Sequence, residues 1–98
     1  MEETNQCKHK KRDENEFRDL QNRLKRIEGQ VRGIGKMLEN DAYCTDILTQ
    51  AAAATAALNS FCKVLLSNHI KTCVADGIKA NDESVIDELV DTVQKLMK

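Results

Sequence analysis

The chain has 98 residues, which limits it to one small domain. Its formal net charge is −1. It contains no proline, four glycines and no tryptophan, and this composition favours helices over strands. No apolar run is long enough to span a bilayer and the first twenty residues are polar, so we expect a cytoplasmic protein without a signal peptide or a membrane partner.

Two further features of the composition narrow the function. Four cysteines in a reducing compartment are more typical of metal ligands, thiol sensors or core positions than of disulfides. The charge is also unevenly distributed: residues 1–36 carry ten Lys and Arg against seven Asp and Glu, whereas residues 37–98 carry five against nine. The N-terminal part is therefore mildly basic, as a nucleic-acid-binding surface can be.

Residues 1–12 have no apolar periodicity and are predicted to form a flexible N-terminal tail before a single helical domain, 13–98. A first helix is predicted over 15–39, where apolar residues recur at alternating steps of three and four. Asp13 or Asn15 can cap its start. The apolar positions are Phe17, Leu20, Leu24, Ile27, Val31, Ile34 and Leu38.

A second long helix is predicted over 43–75 and a third, shorter helix over 83–97. The second helix has a stripe that runs from Cys44 through His69 to Cys73. On the third helix, six apolar residues are predicted to face inward. The turn-forming residues are Asn40-Asp41 after the first helix, and Gly77 with Asn81-Asp82 after the second. The inward residues of the third helix are Val85, Ile86, Leu89, Val90, Val93 and Leu96.

These elements predict an all-α protein. The short connection between the first two helices favours a long antiparallel hairpin, to which the C-terminal helix is added. Such a protomer cannot cover both faces of its second helix, so we expect self-association into antiparallel dimers.

The second helix carries a possible metal site. His69 and Cys73 are four residues apart and project from one helix face. Cys44 lies on the same stripe, but it is 29 residues from Cys73, or roughly 43 Å along a continuous helix. An antiparallel partner would bring Cys44 of one chain to His69 and Cys73 of the other, with a two-fold axis near Ala57 and Leu58 and two identical sites.

Two thiolates and one imidazole form a soft, three-donor set that favours Cu(I), because Zn(II) would require a fourth ligand. Spacing alone also allows a structural interpretation, in which these cysteines are core residues and His69 is an ordinary polar residue. Cys62 is too far from His69 to share its metal and is expected to pack in the core or to be sensitive to oxidation. Cys7 and His9 in the tail are expected to be incidental or to make an accessory contact.

The first helix has a basic edge that could bind DNA through phosphate contacts, with sequence recognised partly through DNA shape. No helix-turn-helix signature is present. The alternative is an ordinary solvated face on which Glu28 and Asp19 pair with some of the cations. The candidate DNA-binding residues are Arg18, Arg23, Lys25, Arg26, Arg32 and Lys36.

Three segments carry a family resemblance that covers about residues 17–97. They are RLKRIEGQVRGI at 23–34, AYCTDILTQ at 42–50, and the Asn68-His69-x-x-x-Cys73-Val74 motif. The chain resembles the copper-sensitive operon repressors (CsoR type). The resemblance implies an all-helical homodimer or homotetramer that binds operator DNA, represses copper-resistance genes and releases DNA when Cu(I) binds.

In that family the ligands would be Cys44 of one subunit and His69 and Cys73 of its neighbour. Tyr43 and Glu88 would surround the ligands and couple the metal to helix packing. Relatives that sense nickel or cobalt usually have a histidine at the position of Cys73, and those that sense sulfur lack the histidine, so His69 favours copper. One departure is that Asn59 and Ser60 replace a charge that many copper sensors carry on the second helix.

Two other functions remain open: a thiol- or persulfide-responsive repressor acting through Cys44 and Cys73, and a sensor of another metal such as Ni(II). A protein of another class, which uses the second helix only to associate, would bind neither metal nor operator. No nucleophile, base and orienting residue occur together and no nucleotide-binding loop is present, so an enzyme with a small-molecule substrate is not expected.

Overall fold

The computed structural model describes residues 12–97, and this part of the chain is helical with no strand. Its elements are α1 (Glu14–Glu39), α2 (Cys44–His69), a π-helical segment (Ile70–Val74), α3 (Ala75–Lys79) and α4 (Ser84–Leu96). The all-α prediction is confirmed. The predicted tail lies outside the described residues except for its last residue, and Cys7 and His9 lie outside them too. No helix in residues 12–97 is both long enough and apolar enough to cross a membrane.

The helices form two compact units, Arg12–Leu65 and residues 66–97. In the first unit, Asp13 is the cap of α1, because its Oδ1 accepts a 2.8 Å hydrogen bond from the backbone N–H of Asn15. Glu14 and Glu16 place negative charge in the first turn, where the N-terminal end of the helix dipole is positive. Of the two caps that the sequence allowed, the structure uses the aspartate.

The turn after α1 closes with a left-handed residue. Asp41 has φ 56°, its N–H donates to the carbonyl of Leu38 at 3.2 Å, and the next N–H, of Ala42, donates to Met37 at 2.9 Å. This pair of bonds is the Schellman arrangement, in which glycine is the usual left-handed residue. Asp41 provides that conformation instead, and the chain enters α2 only three residues later, at Cys44.

The apolar stripe of α1 is divided into two rows. Leu20 and Ile27 are buried, whereas the residues seven apart on the neighbouring row are exposed by 39–69%. The exposed row consists of Phe17, Leu24, Val31 and Leu38. On α2 the same division occurs: Ala54 is buried, while Leu48 and Leu58 of the predicted stripe are exposed. The chain therefore covers only part of the apolar surface that its periodicity predicts.

The second unit is built around a close helix contact. The predicted second helix continues through Gly77 to Lys79, so Gly77 does not end it as expected. A Cβ on Gly77 would lie 2.6 Å from Cγ2 of Val85, so glycine is required for α3 to approach α4. The end is formed by Asn81 (φ 60°), and the Asp82 carboxylate then accepts from the Ser84 N–H at 3.1 Å.

The C-terminal helix buries less than predicted. Val85 is buried and Leu89 and Val93 are half-buried, but the other three apolar residues predicted to face inward are exposed by 39–51%. Those three are Ile86, Val90 and Leu96. They lie on a face of α4 that residues 12–97 of one chain leave in solvent.

Candidate metal centre and nucleic-acid interface

Cys44 is the first residue of α2, directly after the turn from α1, and its side chain is exposed. The carbonyl of Tyr43 accepts hydrogen bonds from the N–H groups of Asp46 at 3.0 Å and Ile47 at 3.2 Å, which fixes the first turn of the helix. The Tyr43 side chain is itself 72% exposed. Tyr43 and Cys44, both predicted site residues, are therefore exposed at the hydrogen-bonded start of α2 in the first unit.

His69 and Cys73 belong to the second unit, on either side of a change in helix type. His69 ends α2 and is half-buried, and Cys73 lies in the π-helical segment and is only 4% exposed. The wider turn is marked by the Ala75 N–H, which donates to the carbonyl of Ile70 five residues earlier. Single π turns of this kind are frequent at functional sites. No sequence pattern indicates this one.

The π-helical segment contacts both α3 and α4, which also contact each other. Cys73 is therefore held in a packed unit, and Glu88, on α4, belongs to the same unit with its side chain in solvent. Cys62, on α2, is half-buried and belongs to the first unit. The three cysteines in the described range form no disulfide.

The predicted ligands do not form a cluster within a single chain. No group of three or more His, Cys, Asp or Glu side chains in residues 12–97 is arranged to hold a metal ion. Cys44 belongs to one compact unit, whereas His69 and Cys73 belong to the other.

The predicted basic edge lies on α1, and the structure divides its six cations into two groups of three. Arg18, Arg23 and Arg32 each pair with a carboxylate four residues earlier. Lys25, Arg26 and Lys36 make no ion pair within the described part of the chain. The spacing of four residues signals all three pairs in the sequence, although only Asp19 and Glu28 were predicted as partners.

Comparison with known proteins gives a consistent result. The model of a family described as metal-sensitive transcriptional repressor matches residues 16–95. The chain is 54% identical over 80 residues to the copper-sensing transcriptional repressor CsoR of Bacillus subtilis (strain 168), covering 81% of this chain and 79% of that protein.

Two solved structures resemble the chain. The copper-sensing repressor CsoR with Cu(I) from Geobacillus thermodenitrificans NG80-2 matches with a TM-score of 0.86 and 43% identity, covering 90% of this chain and 93% of that one. The nickel-responsive transcriptional regulator InrS matches with a TM-score of 0.71 and 31% identity, covering 81% and 90%. Both comparisons extend over most of this chain's length.

Proposed function

The chain belongs to the family of metal-sensitive transcriptional repressors, and on that premise we propose that it binds operator DNA when metal-free and releases it when Cu(I) binds between two subunits. Cys44 of one subunit and His69 and Cys73 of the other would be the ligands. The observation that carries this proposal is the donor set itself: Cys44 begins α2, His69 ends it, and Cys73 follows His69 by four residues in the π-helical segment. Action on operator DNA would place the protein in the cytoplasm.

The donors fit copper chemically. Two thiols and one imidazole provide soft ligands in the low number that Cu(I) accepts, whereas Zn(II) would require a fourth ligand. The exposed Cys44 is available to a second chain, and the buried Cys73 is held by the π-helical segment against α3 and α4. When bound, Cu(I) would supply bonds that join two subunits.

A second copy of the chain is the partner that this site needs. The exposed apolar row of α1 and the exposed Leu48 and Leu58 of α2 would be covered by association, which removes apolar surface from water. Antiparallel pairing of α2 with its copy would create two equivalent sites by symmetry. We propose a homodimer as the metal-binding unit and a tetramer as the DNA-binding form.

The chain's own residues would couple the two functions. Because the π-helical segment, α3 and α4 are packed together, a shift of Cys73 would move α4 and with it Glu88. Tyr43, next to Cys44, would couple the metal to helix packing at the start of α2. Release of DNA requires that Cu(I) bind the free protein more tightly than the DNA-bound protein, and this difference is the coupling free energy.

The test is a Cu(I) titration of the protein on DNA. The probe is a duplex enriched by the metal-free protein from a random-sequence pool, and binding is followed by fluorescence anisotropy. Saturating Cu(I) should weaken binding by about 5–150-fold, the usual range of allosteric coupling. Unchanged DNA affinity at saturation would contradict the proposal.

Variants separate the roles of the thiols. Cys44→Ser and Cys73→Ser should bind DNA like the wild type and lose the Cu(I) response, whereas Cys62→Ser, which changes a third thiol on α2, should keep it. X-ray absorption should show two sulfurs and one nitrogen around Cu(I). His69→Ala should abolish the copper response but would spare a response that uses only Cys44 and Cys73, such as persulfide formation.

Nickel sensing is a second candidate, because the nickel-responsive InrS is similar in fold and 31% identical. The donor set argues against it, since square-planar Ni(II) takes four ligands and is typical of nitrogen and oxygen donors, whereas the candidate ligands here are three and two of them are sulfur. Titration of the DNA complex with Ni(II) under the same conditions decides between them. Release by Ni(II) with no response to Cu(I) would replace the copper assignment.

A further inference from the structure

Three of the candidate DNA-binding arginines of α1 have carboxylate partners on the same helix. Each of three arginines is paired to an acid one helical turn earlier on the same helix. The pairs are Arg18 Nη2–Glu14 Oε1 at 3.9 Å, Arg23 Nε–Asp19 Oδ2 at 3.1 Å, and Arg32 Nη1–Glu28 Oε1 at 3.6 Å. Half of the candidate DNA-binding cations therefore already have a carboxylate partner on the same helix.

Glu28 lies beside the basic side of α1, between it and Leu24 of the exposed apolar row, and not on the opposite side of the helix. At about 100° per residue, Lys25, Arg32 and Lys36 share one side of α1, and Glu28 is about 40° from Arg32 and about 60° from Lys25. The Glu28 and Arg32 side chains are 67% and 69% exposed, so both can reach a macromolecule docked on that side. Arg23, in contrast, is 35% exposed, hydrogen-bonded to Asp19 and about 160° from Lys25 around the helix.

We propose, on the basis of the DNA-binding function above, that Glu28 keeps Arg32 out of phosphate contact and thereby sets the DNA affinity of the repressor. To bind a phosphate, Arg32 would have to leave Glu28, and the released carboxylate would then repel the same phosphate. The two interactions largely cancel. Lys25 and Lys36, which have no carboxylate partner in residues 12–97, are the main phosphate-binding cations of this face.

This arrangement has a regulatory consequence. An allosteric ligand typically changes affinity by about 5–150-fold, so a repressor that binds its operator much too tightly stays bound even when saturated with metal. Each additional phosphate contact strengthens binding to all DNA sequences alike. Glu28 therefore keeps the affinity of the metal-free protein in the range where metal binding can empty the operator.

The experiment replaces Glu28 by glutamine and compares binding to the enriched duplex and to a mixed-sequence duplex of equal length. Glu28→Gln should raise affinity for both by about tenfold, through one added phosphate contact in each of the two protomers of the tetramer that would face one duplex. The plot of log affinity against log salt should steepen by about 1.8, at about 0.9 per contact. A gain confined to the enriched duplex would overturn the proposal, because it would indicate base recognition.

Asp91→Asn is the matched control. Asp91 and Lys95 form an exposed pair with the same spacing on α4, at 3.2 Å, with side chains 65% and 73% exposed. This change alters the net charge as Glu28→Gln does, and it should leave DNA affinity within about twofold of the wild type, since long-range charge effects are screened. Equal effects of the two variants would overturn the proposal.

The double variant Glu28→Gln/Arg32→Gln tests the pairing itself. If Glu28 and Arg32 cancel in the wild type, removing both should restore wild-type affinity and salt dependence. Affinity well below the wild type would show that Arg32 already contacts phosphate, and would overturn the proposal. Failure of the wild-type protein to enrich any duplex would instead contradict DNA binding itself, a result distinguishable from every outcome of the Glu28 variants. Circular dichroism melting curves verify that each variant is folded.

Discussion

Replacing Gly77 by alanine should destabilise the protein, although alanine is the better helix former. In an open helical position this change is worth about 1 kcal/mol in favour of alanine. At Gly77, however, the new Cβ would lie 2.6 and 2.7 Å from the two Cγ atoms of Val85, against the roughly 3.5–4.0 Å of an ordinary carbon contact. Separating α3 from α4 by about 1 Å should cost up to about 3 kcal/mol, which leaves a net loss of about 2 kcal/mol.

The other glycines provide the control. Gly33 lies within α1, and a Cβ added there would meet no atom within 4 Å, so Gly33→Ala should gain about 1 kcal/mol. Thermal unfolding at one fixed protein concentration measures both effects, because association also changes apparent stability. At about 4–8 °C per kcal/mol, Gly77→Ala should lower Tm by about 10 °C and Gly33→Ala should raise it by about 5 °C.

A double variant identifies the contact responsible. Val85→Ala removes both Cγ atoms and leaves only the Cβ, 3.1 Å from the new methyl group. In that background Gly77→Ala should cost at least about 1 kcal/mol less than in the wild type, the coupling expected of residues in contact. The explanation is refuted if Gly77→Ala raises Tm as Gly33→Ala does, or if it costs the same in both backgrounds.

Three further predictions concern the caps and the thiols. Asn81→Gly should raise stability by about 1 kcal/mol in urea unfolding, because a left-handed φ of 60° costs an L residue energy that glycine avoids; loss of stability would show that the Asn81 side chain matters more. Asp13→Ala should lower stability by about 1 kcal/mol, since an N–H at the start of α1 loses its acceptor; an unchanged unfolding curve would argue against this cap. In metal-free protein, alkylation followed by peptide mass spectrometry should modify the exposed Cys44 at least about tenfold faster than the buried Cys73, because access limits thiol reactivity. The reverse order would contradict the placement of these thiols.

Helix positions were predictable because local spacing determines them. The first predicted helix, 15–39, differs by one residue at its start from Glu14–Glu39, and the third, 83–97, by one residue at each end from Ser84–Leu96. Apolar residues at steps of three and four, together with capping residues, carry this information in the sequence. The C-terminal part of the second helix was harder to predict, since neither the π turn at Ile70–Val74 nor the continuation through Gly77 has a local signature in the sequence.

Periodicity could not indicate which apolar residues the chain would bury by itself. On α1, Ile27 and Val31 belong to one predicted stripe, yet Ile27 is buried and Val31 is 55% exposed. An apolar row looks the same in sequence whether it packs within the chain or against another copy. The same limit applies to the candidate metal site, because the proposed roles of Cys44 and His69 would depend on a contact between chains.

The division of the candidate donors has a thermodynamic consequence for a sensor. If one chain contributes Cys44 and another contributes His69 and Cys73, any metal that uses all three binds only the associated protein, so metal binding and association stabilise each other. The apolar rows left exposed on α1 and α2 would then do more than hold subunits together, because their burial sets how much of the protein is competent to bind metal. A site completed within one chain would report only the metal concentration. A shared site would also respond to the arrangement of the subunits, and under the proposed function that arrangement is what an operator would distinguish.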